Sequence, residues 1–306
     1  GLNRRAEASY RAAVRAARAC GCLEREAKAL NNLGTVAQWL GDVRGAEEAF
    51  SRSIALKERA GARTSALATY NNLGAMQLAL GAHDEARANL ERALGEPGLV
   101  SPVVACIAGS NLGDLEVVRG RLDAGIARYR EALALCRARS FDTQQTHVMA
   151  GLARALMMRR GPGDEGEATA LVEELGRYAR DFDMAEAQRR YHTTAAVEAD
   201  LLGDAALALE HARAAVATRD RVTRFSDVLG TPLEAQWILA LALARAGRAG
   251  EADRAAERCR RALGRLGGMI EDAADRARFL AQNPVHAAIR RGALDLPRGW
   301  TWPPQE

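Results

Sequence analysis

Five histidines (His83, His147, His192, His211 and His286) and five cysteines (Cys20, Cys22, Cys106, Cys136 and Cys259) are the side chains of this 306-residue sequence best suited to nucleophilic, acid–base or metal chemistry. Their spacing is wrong for it. No histidines stand as His-x-x-x-His or His-Glu-x-x-His, the spacings that set two ring nitrogens on one helix face. Cys20-Gly21-Cys22 has neither the spacing nor the second pair of a tetrahedral zinc site. No Gly-rich loop precedes a Lys-Ser or Lys-Thr, and no Gly-x-Ser-x-Gly elbow occurs. The sequence therefore argues for a non-enzyme with no metal and no cofactor. His192, in Arg189-Arg190-Tyr191-His192, is the most suggestive single position, and ordinary service on a helix surface or in a core is the competing reading. Met157-Met158 offers an adaptable patch for an apolar ligand, although helical spacing assigns one of the two to the core.

Composition narrows the class further. The cysteines are odd in number and scattered, so a disulfide framework is not expected and a reducing cytoplasm is. The net charge of +4 comes from 43 basic and 39 acidic residues interleaved along the chain, which makes a solvated surface rather than the basic stripe of a nucleic-acid binder. No stretch approaches the roughly 18 apolar residues of a membrane span. With 48% apolar residues and only 8 prolines the chain can bury a continuous core. Aromatics at 5% and abundant Ala favour helices packed through small side chains over a β-sandwich. The expected class is all-α.

Self-similarity organises that class. Leu30-Asn31-Asn32-Leu33-Gly34, Tyr70-Asn71-Asn72-Leu73-Gly74 and Ser110-Asn111-Leu112-Gly113 recur about every 40 residues, followed by a diverged Gly151-Leu152-Ala153. Gly41, Gly81 and Gly120 each follow a Leu-Gly pair, and the slot returns near Gly161, Gly203 and Gly247. Such a glycine ends a helix by taking a left-handed backbone cheaply. Beyond it come a small residue (Ala46, Ala86, Gly125, Ala208, Ala252) and, in the early repeats, a larger one (Phe50, Leu90, Tyr129). Small residues admit close helix approach and the larger ones fill the adjoining hole. The spacing predicts antiparallel pairs near 24–40 with 43–60, 63–80 with 83–95 and 101–119 with 122–139. An irregular connection is expected around Thr223 to Thr231, with Pro232 in the first turn of the next helix.

These residues resemble the tetratricopeptide repeat, a helix–turn–helix unit marked by Leu-Gly, Ala and an aromatic. The Asn-Asn-Leu-Gly form with its longer unit is similar to the repeats of kinesin light chains and of large bacterial signalling proteins. The resemblance implies a right-handed superhelical solenoid of antiparallel helix pairs. Residues 1–22 read as the second helix of a repeat whose first helix would precede Gly1, 23–265 as about six repeats, 268–292 as capping helices, and 293–306 as an extended tail with Trp300 and Trp302. Asp275-Arg276-Ala277-Arg278-Phe279-Leu280 resembles the closing helix of such regions in bacterial kinases and ATPase regulators.

Stacked first helices line the concave side of such a superhelix, which places Asn31, Gln38, Asn71, Ser110, Asn111, Asp114, His147, Arg154, Arg190 and Trp237 in a groove. Amides, a few charges and apolar surface suit an extended peptide or protein segment. Two roles stand open for Asn31, Asn32, Asn71 and Asn72: binding a peptide backbone, or tying one helix pair to the next. The expected function is a protein- or peptide-binding scaffold, the regulatory or adaptor region of a larger cytoplasmic signalling protein such as a serine/threonine kinase. The alternative is a sensor that closes on a small peptide or metabolite and controls a separate effector such as a transcriptional regulator. A tight groove would favour the sensor and an open one the scaffold.

Overall fold

A computed structural model describes residues 2–95, 98–181, 184–218 and 231–292 of the chain. Among them are fifteen helices and no strand. α1 (Leu2–Ala19) is followed by the pairs α2 (Leu23–Leu40) with α3 (Val43–Arg59), α4 (Arg63–Ala79) with α5 (His83–Leu94), and α6 (Pro102–Val118) with α7 (Leu122–Arg139). Then come α8 (Asp142–Arg159) with α9 (Asp164–Asp181), α10 (Ala185–Leu201) with α11 (Ala205–Ala217), and α12 (Pro232–Arg245) with α13 (Ala249–Met269). α14 (Ala273–Gln282) and α15 (Pro284–Arg291) follow. Every end of the first three expected pairs lies within one residue of the observed helix end. The fold is all-α, a solenoid of helix pairs.

The turns obey the backbone rule that the glycines announce. Gly41, Gly81 and Gly120 sit at φ of 80°, 79° and 74°, and the amides of Gly41 and Asp42 close the last turn of α2 on the carbonyls of Gln38 and Ala37. Turns between pairs use the same device, at Gly21 and Gly61, so the underlying unit is one helix and one left-handed residue about every 20 residues. Further along, Ser140 and Arg160 take that conformation without being glycine, and at the fourth turn Gly163 rather than Gly161 has positive φ. Thr231 caps α12 by accepting the Glu234 amide, and Pro232 stands in its first turn as expected. The rest of the connection expected to be irregular, and the tail with Trp300 and Trp302, lie outside the described residues.

Within each early pair the glycine of Leu-Gly receives the large residue of the second helix. A Cβ on Gly34, Gly74 or Gly113 would stand 2.8 Å from the side chain of Phe50, Leu90 or Tyr129 respectively. All three side chains are fully buried. First helices also touch first helices of the next pair, α4 to α6 to α8 to α10 to α12, whereas second helices stand farther apart. The row of first helices is therefore the inner side of the curve.

The curve brings the end of the described chain back to its beginning. A Cβ on Gly41 would come within 2.5 Å of Met269 Cβ, and one on Gly81 within 2.4 Å of Gln282 Cβ. Nothing lies within 4 Å of that position at Gly120, Gly203 or Gly247. α15 seats its buried Val285, Ala288 and Ile289 against the core, and the buried His286 ring shares a hydrogen bond with the Phe279 carbonyl.

The cysteine expectation needs correction. Cys106 on α6 and Cys136 on α7 form a disulfide in the core of the third pair. Residues 30 apart in sequence meet because the pair folds back on itself, so scatter along the chain did not mean separation in space. The cysteine count thereby loses its force as an argument for a reducing compartment. Among the described residues no helix is long and apolar enough to cross a membrane.

Two predictions follow from this packing. Gly203→Ala should cost about 1–2 kcal/mol, the penalty of a left-handed backbone for a residue with a Cβ. Gly81→Ala should cost about 1–3 kcal/mol more through its collision with Gln282. Equal losses in urea unfolding would show that the end-to-end contact does not form in solution. Separately, burial pushes the His286 imidazole down to about 4, below the usual His value near 6.5. The folded state then binds fewer protons than the unfolded chain, so the associated stability is complete above pH 6.5 and declines as pH falls toward 4. His286→Gln should reduce the slope of unfolding free energy between pH 6.5 and 5 by about 1 kcal/mol per pH unit; an unchanged slope would place the ring in water.

Candidate functional site

The inner row of first helices holds most of the residues the sequence nominates, and it is tightly closed. Among those, Gln38, Asn71, Ser110, Asn111, Asp114, Arg154, Arg190 and Trp237 are all buried, while Asn31 is half-buried. Burying amides and charges costs free energy unless they find partners, so each position poses a question of pairing.

At the N-terminal end the answer is an amide ladder. Asn72 donates to the Asn31 carbonyl oxygen at 3.1 Å, and one repeat later Asn111 donates to that of Asn71 at 3.0 Å. The second Asn of each repeat thus serves the first Asn of the repeat before it. Thr69 adds a hydroxyl donor to Asn31, and the buried Lys57 donates to Thr69 at 2.6 Å and to the Ser65 carbonyl. Burial lowers the pKa of that Lys57 ammonium. Of the two roles open to these asparagines, the tie between helix pairs is the one visible here. The Gln38 side-chain nitrogen is buried with no hydrogen-bond partner among the described residues.

The ladder stops at the fourth repeat, where Gly151 replaces the expected Asn. Its missing side chain makes room for Tyr129, whose ring would meet a Cβ there at 2.6 Å. Ser110, lacking a partner across the gap, turns its hydroxyl to the Ile107 carbonyl of its own helix at 2.9 Å. The Tyr129 hydroxyl instead donates a short hydrogen bond to Asp114, and His147 Nε2 approaches the other Asp114 oxygen at 3.2 Å. Burial, followed by the Asp114 charge, raises the Tyr129 pKa well above the ordinary phenol value, with Arg154 opposing. Tyr129 was legible only as a space-filler. The missed signal is a paired exchange: Phe50 and Thr35 in one repeat, Leu90 and Ala75 in the next, then Tyr129 and Asp114.

Toward the C-terminal end the row is bridged. Arg154 on α8 donates to Glu234 on α12 at 2.7 Å, across the intervening α10, and also to the Ala150 carbonyl. Both side chains are almost wholly buried, at 3% and 0% exposure. Arg190 on α10 pairs with Glu186 one turn away. The adjacent Thr193 hydroxyl and the Trp237 indole nitrogen are buried with no hydrogen-bond partner among the described residues. The structure thus gathers Asp114, His147 and Tyr129 into one cluster, and Arg154 with Glu234 into a second.

The remaining candidates fall elsewhere. His192 meets His211 with their Nδ1 atoms 2.9 Å apart, beside Tyr191. Burial and then the neighbouring ring push His192 to about 4, and burial lowers His211 as well. Cys20 and Cys22 stand at the turn between α1 and α2. Among the described residues no group of three or more His, Cys, Asp or Glu is placed to hold a metal ion. Met157 is buried beside a cavity between the fourth and fifth pairs, and Met158 packs on the core.

Residues 25–95 match the tetratricopeptide repeat model. No curated protein matches the chain. Among solved structures, it is similar to BtubC (BKLC) from P. vanneervenii, with 17% identity over 88% of this chain and 93% of that one at a TM-score of 0.44. It is also similar to the apo form of RapI, with 10% identity over 95% of this chain and 85% of that one at a TM-score of 0.49. Residues 25–95 are tetratricopeptide repeats, the stuff of protein-binding scaffolds, and the later helix pairs continue the stack.

The Tyr129–Asp114 pairing is open to a direct test. Tyr129→Phe removes the hydroxyl donor to one oxygen of the buried Asp114 carboxylate and should cost about 1.5–3 kcal/mol, the range for a hydrogen bond to a charged group. Adding Asp114→Ala restores the chemistry of the second repeat and should return much of that loss. Urea unfolding of the two singles and the double measures the coupling; strict additivity would mean that the hydroxyl and the carboxylate do not interact.

Proposed function

We propose that this chain is a peptide-binding scaffold, the regulatory or adaptor region of a cytoplasmic signalling protein, and that its ligand is an acidic extended segment laid along the inner row. The observation that carries this reading is the Arg154–Glu234 pair. A guanidinium on the inner row is satisfied by a carboxylate from two pairs away, so Glu234 occupies the place an acidic ligand side chain would take. The planar guanidinium suits carboxylates geometrically, and in this dry setting the interaction is strong. Asn31, Asn71 and Ser110 continue the same row and offer amide and hydroxyl groups to a peptide backbone as the stack opens.

The tightness of the row favours a second element, borrowed from the sensor reading. A ligand that replaces Glu234 must separate α8 from α12, so binding is coupled to a change in curvature. A closed resting state lowers the apparent affinity by the fraction of molecules that are open, and a variant that relaxes closure recovers it.

Opposite effects are expected from the two partners. In a random-decapeptide display selection the wild type should enrich Asp and Glu. Glu234→Gln should bind a selected acidic peptide about tenfold or more tightly, while Arg154→Ala should lose about ten- to a hundredfold. Circular dichroism confirms that both variants remain helical. An Arg154→Ala protein that binds acidic peptides as well as the wild type would remove the basis of the proposal.

A further inference from the structure

The lengthened turn between α8 and α9 opens a cavity of about 330 Å³ at the edge of the fourth and fifth pairs, and neither Arg154 nor Glu234 lines it. Such a volume lies at the small end of the roughly 300–1,000 Å³ range of ligand pockets. Its wall is firmly held. Arg159 donates to both Asp164 oxygens, at 2.9 and 2.6 Å, and to Asp123 at 2.7 Å, while the Gly161 amide donates to Asp164 at 2.7 Å. The cavity is therefore a preformed feature of the turn.

One side of the cavity is apolar, made by Leu156 and Met157 of α8 and Leu201 of α10, with Leu202 at the edge. Leu202 is 61% exposed, the most exposed of the large apolar side chains among the described residues. The polar side contains Glu198, whose carboxylate accepts the Thr169 hydroxyl at 2.7 Å. No cation pairs with Glu198 among the described residues, and the ionised group acting on it is another acid, Glu173. The cavity's own cation, Arg160, feels the charge of Glu165. Burial raises the Glu198 pKa, with Glu173 adding to the effect, as befits a carboxyl that lacks a counter-ion.

The geometry points to a binding site for a small amphipathic cation: an aliphatic chain lies on Leu156, Met157, Leu201 and Leu202, and its ammonium group donates to Glu198. An alkyl carboxylate is disfavoured because it would meet the Glu198 carboxylate, whose negative field Glu173 reinforces, with only a guanidinium already influenced by Glu165. An uncharged alcohol would reach the same wall yet leave Glu198 without its counter-ion. The site goes beyond the peptide reading and does not depend on it, since none of its contacts involves the inner-row charges.

The test is calorimetric titration at pH 7.5 with n-hexylammonium, n-hexanol and n-hexanoate. Hexylammonium should bind saturably to one site, about tenfold or more tightly than hexanol, and hexanoate should not bind. Glu198→Gln keeps an acceptor for Thr169 and should lower hexylammonium affinity about ten- to a hundredfold while leaving hexanol unchanged. Leu202→Ser should weaken both the amine and the alcohol, and Arg154→Ala neither, which separates this site from the peptide row. Thermal melts establish that each variant is folded. Absence of saturable hexylammonium binding, parity among the three probes, or an unaltered affinity in Glu198→Gln would overturn the assignment.

Discussion

Two helices approach closely only where one of them has no side chain in the way, and in this chain that place is the glycine after each recurring leucine of the early repeats. Phe50, Leu90 and Tyr129 lie over Gly34, Gly74 and Gly113 so closely that a methyl group would not fit. This steric fit sets the spacing within a pair and hence how the next pair stacks upon it. Because second helices carry the bulk and first helices the gaps, the stack bends toward the first helices. The inner row is compressed until its own side chains are buried.

That compression explains the change of chemistry along the row. Polar groups driven into a dry interior must be satisfied locally. Where two asparagines per repeat are available, as at Asn31/Asn72 and Asn71/Asn111, an amide ladder suffices. The aromatic at Tyr129 requires the space of Gly151, so the ladder cannot continue, and Asp114 takes the phenol hydroxyl in its place. From the next pair onward the row has curved enough for an Arg on α8 to reach a Glu on α12, two pairs away. Each arrangement is the local solution to the same burial.

The fold was legible because it rests on local features that recur. Glycine can be read from its type, and a period of about 40 residues repeats the same requirement at Gly41, Gly81 and Gly120. The half-period, marked by Gly21 and Gly61, was masked at the α7–α8 turn, where Ser140 adopts the left-handed backbone without being glycine, and the full period blurs at the α8–α9 turn, where Arg160 does the same. The candidate row was legible as a row but not as a closed one. Closure depends on accumulated curvature, which brings Arg154 to Glu234, Met269 to Gly41 and Gln282 to Gly81 across separations no periodicity encodes. Cys106 and Cys136 escaped for a simpler reason: an odd, scattered set of cysteines shows no pairing along the chain, and these two meet only because α6 and α7 fold back on each other.

The buried ion pair is better understood as a device of conformation than of stability. Removing Arg and Glu from water costs several kcal/mol per ion, and their attraction repays that only when geometry and secondary hydrogen bonds are good. Apolar residues of similar volume would hold α8 to α12 at least as firmly. On the proposed reading, what an ion pair adds is exchangeability, because a ligand carboxylate would replace Glu234 on Arg154. Arg154 stands one helical turn before Met157, so the same segment of α8 carries the bridge on its inner side and the cavity wall at its end. The bridge and the cavity are nonetheless held by different contacts: neither Arg154 nor Glu234 lines the cavity, and Arg159, Asp164 and Asp123 fix its turn independently of the inner row.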